Sequence, residues 1–178
     1  AGLLAGSTAV HLVVHGRCPV LVVREEPRAD GPVVVGVDGS AAGEKAVGFA
    51  FAEAALHGAG LVAVHAWTVR TAPMPAVRDA SVRYTNRPAA LAQGEERLLA
   101  EALAGHRERY PDVTVRQEVV HGGAREALIQ ASRTARLMVV GARGRGGFAG
   151  LLLGSVSQAL LPHAHCPVAV VRGADGHR

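Results

Sequence analysis

The sequence predicts an α/β fold in which helices cover both faces of a mainly parallel β-sheet. Apolar residues make up 49% of the 178 residues and aromatic residues only 3%, so the core must consist of Val, Leu and Ala. Short aliphatic runs, which are typical of buried parallel strands, alternate along the chain with segments of helical periodicity. Right-handed crossovers between such strands place helices on both faces of one doubly wound sheet.

From residue 32 onward, the predicted elements follow one another in the order expected of such a fold. The predicted strands are residues 32–37, 61–67, 113–120, 136–142 and 167–172. The predicted helices are residues 41–58, 89–109, 124–134 and 155–161. Residues 68–87 lack periodicity and contain Pro73 and Pro75, which predicts a long loop.

The N-terminal segment repeats the C-terminal one. Residues 2–24 match residues 150–172 at 13 of 23 positions without a gap, at an offset of 148. This repeat predicts a tandem duplication that is truncated at its N-terminal side. The expected parts are the end of a first unit (1–24), a polar linker (25–31), a complete second unit (32–172) and a tail (173–178).

Composition and charge exclude several classes of partner. The net charge is +4 and the pI about 9.8, but the Arg residues are scattered and no aromatic residues are interleaved to stack bases. No apolar run approaches the roughly 20 residues of a membrane span. Cys18 and Cys166 lack the spacing of a zinc site or a disulfide scaffold. We therefore expect a cytoplasmic protein that binds neither nucleic acid nor membranes.

The strongest functional signal is a glycine-rich loop after the strand at 136–142. Gly141 and Gly144 end this strand, and after nine intervening residues Gly154 and Ser155 open a helix. In a doubly wound fold this loop lies at the carboxyl edge of the sheet, where ligands bind. The first N–H groups of the helix would point at an anion, so the spacing predicts a phosphate-binding loop. The alternative is a flexible crossover loop in which Ser155 only caps the helix.

A second signal follows the strand at 32–37, where Asp38 precedes Gly39 and Ser40. A carboxylate at this sheet edge can accept a hydrogen bond from a ribose hydroxyl or hold Mg²⁺ against phosphates. The alternative is that Asp38 or Ser40 caps the following helix. Farther along, His65 lies on an aliphatic strand and is expected to be a hydrogen-bonded core residue. Trp67 and Phe148 are interpreted as packing residues.

Residues 141–172, together with VVVGVDGS at the first strand and VHAW at the second, resemble the universal stress protein family. The resemblance extends over residues 32–172, and the glycine spacing is that family's ATP-binding pattern. It implies a five-stranded parallel sheet in the order 3-2-1-4-5 that binds ATP, ADP or AMP, with Mg²⁺ as an accompanying ion. The matching site residues are Gly36, Asp38, Ala66, Gly141, Arg143, Gly144, Gly154, Ser155, Val156 and Ser157.

The resemblance also implies a role for each matching position. The loop and helix residues from Gly141 to Ser157 match phosphate and ribose positions. Asp38, with Gly36 nearby, lines the nucleotide and is the candidate for an indirect contact with Mg²⁺. Ala66 matches the position whose backbone reads the adenine edge. The N-terminal copy keeps only Gly6 and Ser7 of this set, so it is not expected to form a site alone.

Family members associate through their last strands, which pair about a two-fold axis. We therefore expect residues 19–24 to pair antiparallel with residues 167–172, either within one chain or between two chains of a homodimer. The function implied is regulatory nucleotide binding in a stress response, since no positioned base and nucleophile are evident. Slow ATP hydrolysis or adenylyl transfer at the same site, or a purely structural module, are the alternatives.

Overall fold

The structure, a computed structural model, describes residues 7–16, 18–23, 28–68, 87–144 and 153–172, and from residue 33 onward the described strands and helices alternate. The helices are α1 (Ser7–His15), α2 (Ala41–Leu56), α3 (Arg87–Arg109), α4 (Ala124–Ala131) and α5 (Ser155–His163). The strands are β1 (Val20–Val22), β2 (Val33–Gly36), β3 (Leu61–Trp67), β4 (Val115–His121), β5 (Leu137–Gly141) and β6 (Val168–Val171). Phe148 lies outside the described residues, and so does the predicted loop at 68–87 except for its first and last residues. No helix in the described ranges has both the length and the apolar character needed to cross a bilayer.

The strands form one six-stranded sheet in the order β1-β6-β5-β2-β3-β4. Strands β2 to β6 are parallel, and in the numbering of the second unit their order is 3-2-1-4-5. The prediction of a five-stranded sheet is wrong by one strand, because β1 joins the edge. The strand order reverses between β2 and β5, and ligands bind doubly wound folds at such a switch point.

Strand β1 pairs antiparallel with β6, which confirms the predicted pairing of the N-terminal segment and shows it within one chain. Val20–Val22 lies against Val168–Val170 in reverse order. Helix α1 packs behind this pair, where Val13 is fully buried. Arg172 donates from Nη1 to the carbonyl oxygens of Val14 and Gly16. The N-terminal segment is therefore part of the folded body.

The two faces of the sheet carry separate apolar cores, as the predicted helices on both faces require. Helices α2 and α3 cover one face, with the fully buried Phe51, Leu99 and Leu103. Helices α1, α4 and α5 cover the other face, with Leu128 and Leu160. Alternate residues of β2, β5 and β6 enter opposite cores, as strand geometry demands.

Helix α4 ends at residue 131, three residues before its predicted end. Ser132 is fully buried, and its Oγ donates to the Ile129 carbonyl oxygen over 2.6 Å. The same Oγ accepts the N–H of His165 over 3.0 Å. A serine that bonds the preceding turn competes with continued helix. This bond to His165 also fixes the start of the last turn before β6.

Candidate functional site

The turn after β2 places a carboxylate at the carboxyl edge of the sheet. Gly39 has φ +73°, a left-handed conformation that favours glycine, and it turns the chain directly after Asp38. Ser40 is the N-cap of α2, and its Oγ accepts the N–H of Gly43 over 3.0 Å. The capping interpretation of Ser40 is therefore confirmed.

The two oxygens of Asp38 have different neighbours. Oδ1 accepts hydrogen bonds from the Ser40 N–H over 3.0 Å and from Ser40 Oγ over 2.7 Å. Oδ2 faces the loop after β5, where a β-carbon at Gly144 would lie only 2.5 Å from it. One oxygen therefore supports the helix cap, while the other lies against the glycine-rich loop.

Strands β2 and β5 bring these two loops together. They are direct neighbours in the sheet, with Val35 opposite Val139, so their carboxyl ends meet. The expectation that Asp38 and the glycine-rich loop lie at the same edge of the sheet is confirmed. Gly141 packs against the first turn of α2, since a β-carbon there would lie 3.2 Å from the carbonyl carbon of Ala42. A side chain at 141 would have to push the start of α2 away by a few tenths of an ångström, so the close approach of the helix favours glycine there.

Helix α5 begins beside the same loop. Gly154 is its N-cap, without a side-chain cap bond, and the Gly154 N–H donates to the Ala142 carbonyl over 2.7 Å. The alternative in which Ser155 caps the helix is wrong, because Ser155 is the first helical residue and Gly154 is the N-cap. Helix geometry leaves the first N–H groups of α5 without intrahelical partners. These groups belong to Ser155, Val156 and Ser157.

Ser157 has a structural contact that the sequence did not predict. Its side chain is 1% exposed, and Oγ donates to the carbonyl oxygen of Gly141 over 2.8 Å. This hydroxyl therefore ties α5 to the end of β5 and is not available to a ligand. Only its N–H group can serve an anion.

Gly36 and Ala66 lie farther from the meeting point of the loops. A β-carbon at Gly36 would lie 2.9 Å from Leu128 Cδ1, so the packing of α4 accounts for the glycine there. Ala66 is half-buried near the end of β3, opposite Val120 of β4. Trp67 follows it and is 6% exposed, which confirms its interpretation as a packing residue.

Beneath the site, His65 is buried and hydrogen-bonded at both ring nitrogens, which confirms the expectation of a satisfied core histidine. Its partner Glu95 on α3 was missed. Glu95 precedes the buried Leu99 and Leu103 by four and eight residues, so helical spacing could have placed it on the inward face.

The arrangement offers hydrogen-bond donors beside one carboxylate. The N-terminus of α5 carries partial positive charge, and Arg143 adds a full cation on the adjoining loop. Asp38 faces the same loop from β2. Such a set can hold an anion at α5 and a hydroxyl or a cation at Asp38.

The chain belongs to the universal stress protein family, whose model matches residues 31–172. Universal stress protein Rv1996 of Mycobacterium tuberculosis is 42% identical over 177 residues, which cover 97% of this chain and 55% of that protein. The chain therefore spans about half the length of the curated relatives it matches.

Solved structures show the same fold. The universal stress protein UspA of Lactobacillus plantarum superposes with a TM-score of 0.59 at 22% identity, covering 84% of this chain and all of that one. A universal stress protein in complex with cAMP has a TM-score of 0.50 at 26% identity, covering 82% of this chain and 99% of that one.

Proposed function

We propose that this protein is a regulatory, ATP-binding universal stress protein that acts in a stress response. The observation that carries the proposal is the meeting of Asp38 with Gly144 at the switch point of the sheet, beside the N-terminus of α5. The relative in complex with cAMP supports nucleotide binding in the family.

In the proposed binding mode, the phosphates lie at the N-terminus of α5 and along the loop from Gly141 to Gly144. The N–H groups of the first turn of α5 and the guanidinium of Arg143 supply the charge and the donors. The backbone of Ala66 reads the adenine edge, because β3 lies next to β2 in the sheet.

Mass spectrometry of material released from the purified protein tests this function. We expect an adenine nucleotide to be released. Purified protein that carries no nucleotide and does not bind added ATP would contradict the proposed function.

We propose that the Asp38 carboxylate serves Mg²⁺ bound to ATP. Asp38→Asn keeps an oxygen that can accept both hydrogen bonds from Ser40, so the helix cap should persist while the charge is lost. We expect the affinity for Mg²⁺-ATP to fall about tenfold and the affinity for AMP to change little, as measured by calorimetry.

Asp112→Asn, at an exposed turn before β4, is the matched control and should change neither affinity. An equal loss for ATP and AMP would assign the carboxylate to the ribose. Unchanged binding of both nucleotides would leave Asp38 with the capping role alone.

We further propose that α1 and β1 close a preceding unit of the same fold. The offset of 148 aligns Leu12, Leu21 and Val23 with three residues of the second copy. Leu12, Leu21 and Val23 are 54%, 57% and 61% exposed. Their counterparts are 0%, 1% and 5% exposed, and these are Leu160, Ala169 and Val171. Equivalent positions are covered in one copy only, which supports a further sheet and helix over α1 and β1.

The exposed residues of α1 and β1 should make this chain self-associate, because uncovered apolar patches drive association. We expect Leu21→Thr combined with Val23→Thr to weaken self-association about tenfold in sedimentation experiments. Leu56→Thr, at the end of α2, removes a leucine that is 76% exposed and should have no effect. Association that is unchanged in the double variant would count against a covering unit at this surface.

Cys18 is exposed, Cys166 is buried, and both are free thiols. An exposed free thiol persists in a reducing compartment. We propose that the protein is cytoplasmic, since two cysteines without close spacing fit a reducing compartment.

A further inference from the structure

A buried acid–histidine pair lies next to the candidate site. His65 is 3% exposed and Glu95 is 2% exposed. Glu95 Oε2 lies 2.6 Å from His65 Nε2, and His65 Nδ1 lies 2.7 Å from the carbonyl oxygen of Val37. Buried ionisable groups are costly unless they are paired and hydrogen-bonded, so this arrangement requires a physical account.

The hydrogen bonds fix the protons of the pair. The Val37 carbonyl can only accept, so His65 Nδ1 carries a proton and donates it there. One further proton lies between Nε2 and the carboxylate, whichever atom holds it. The pair is therefore neutral as a unit, whether it is imidazolium with carboxylate or imidazole with carboxylic acid. This neutrality allows both side chains to be buried among apolar residues.

The pair joins three elements at the residue before Asp38. The Val37 N–H donates to the Val64 carbonyl over 2.9 Å, so β3 holds Val37 by its backbone on one side and by His65 on the other. The Val37 carbonyl belongs to the planar peptide that leads into Asp38. Fixing that carbonyl therefore fixes the direction in which Asp38 leaves the sheet.

Packing alone does not require an acid at position 95. Glu95 lies on the same face of α3 as Leu99 and Leu103, which are fully buried. A leucine at 95 would extend this apolar stripe, and replacing buried ion pairs with well-packed apolar residues is often neutral or stabilising. An acid at such a position is explained by the hydrogen bond that it makes to His65.

We propose that His65 and Glu95 are positioning residues for Asp38 and thereby couple helix α3 to the occupancy of the nucleotide site. The coupling rests on the nucleotide-binding function proposed above. Glu95 fixes the ring of His65, the ring fixes the peptide between Val37 and Asp38, and this peptide sets the carboxylate beside Gly144.

Two substitutions at Glu95 test the proposal. Glu95→Gln keeps a donor for Nε2 of the neutral ring, whereas Glu95→Leu removes it. For Glu95→Leu we expect the affinity for Mg²⁺-ATP to fall about tenfold in calorimetry. Without ligand, the Ser40 amide, which donates to Asp38, should exchange its hydrogen about tenfold faster in this variant. Glu95→Gln should stay close to wild type in both measurements.

Leu103→Val is the matched control, since it loosens packing on the same face of α3 without touching His65. It should change neither the affinity nor the Ser40 exchange rate. Unchanged values in Glu95→Leu, or equal changes in Leu103→Val, would overturn the positioning role. Wild-type protein that binds no nucleotide would refute the proposed function and with it the coupling. In that case the hydrogen-exchange rate of the Ser40 amide, measured without ligand, still decides whether the pair positions Asp38.

A measurement on wild-type protein covers the case in which Glu95→Leu does not fold. We expect the ring ¹⁵N resonances of His65 to shift when ATP is added, because the ring is linked to Asp38 through one peptide. The resonances of His57, which follows the last residue of α2, should stay in place. Bound ATP with unshifted His65 resonances would contradict the coupling.

Discussion

Gly154→Ser is expected to raise stability and lower nucleotide affinity at the same time. Gly154 is the N-cap of α5 and has an extended backbone (φ −73°, ψ 158°) that serine adopts readily. A β-carbon there would lie 3.4 Å or more from its nearest neighbours, so the fold accepts the side chain. The serine hydroxyl should accept an N–H of the first turn, which stabilises the helix by a few tenths of a kcal/mol.

The same hydroxyl would compete with a phosphate for the donors of α5. We therefore expect the affinity for ATP to fall at least about tenfold, or about 1.4 kcal/mol, in calorimetry. Gly123→Ser provides the matched control, because Gly123 is the uncapped N-cap of α4, away from the loop after β5. That control should leave the affinity unchanged. Undiminished ATP binding by Gly154→Ser would rule out α5 as the phosphate-binding helix.

Val13→Asp should destabilise the whole protein, although Val13 lies in the N-terminal segment. Its side chain is fully buried in the core under α1, so the new carboxylate would have no compensating partner in an apolar site. We expect the free energy of unfolding to fall by at least about 3 kcal/mol in denaturant titrations.

Leu12→Asp is the neighbouring control on the same helix. Leu12 is 54% exposed, so the substitution should change stability by less than about 0.5 kcal/mol. Similar effects of the two substitutions would mean that the N-terminal segment does not belong to the folded body. A large difference would establish α1 and β1 as part of one cooperative unit with the second repeat.

The fold was largely predictable because apolar periodicity and the repeat act at the level of whole elements. The strand at 61–67 is the same in prediction and structure, and β1 pairs with β6 as the repeat indicates. The end of α4 was not predictable, because the bond between Ser132 and His165 joins segments distant in sequence. The strand order implied by the family counts five strands, and the sixth follows from the predicted pairing of residues 19–24 with the last strand.

The loops of the site were predictable, but the reasons for individual residues were not. Spacing indicated that Asp38 and Gly144 lie at one sheet edge. The contact of Gly36 with Leu128, and the bond from Ser157 to Gly141, depend on how helices pack against strands. Glu95 was missed because a single acid on a charged helix is ordinarily solvated. Its spacing from Leu99 and Leu103 places it on the inward face of α3, and the hydrogen bond to His65 explains why an acid lies there.

Calorimetric titration of wild-type protein and Gly144→Ala with Mg²⁺-ATP tests the central claim most directly. The added β-carbon would lie 2.5 Å from Asp38 Oδ2, so it must displace the carboxylate at the point where the two loops meet. We expect the wild-type chain to bind the nucleotide and the variant to bind it at least about tenfold more weakly. Equal affinity in both proteins, or no binding of ATP, ADP, AMP or cAMP by the wild type, would contradict the account.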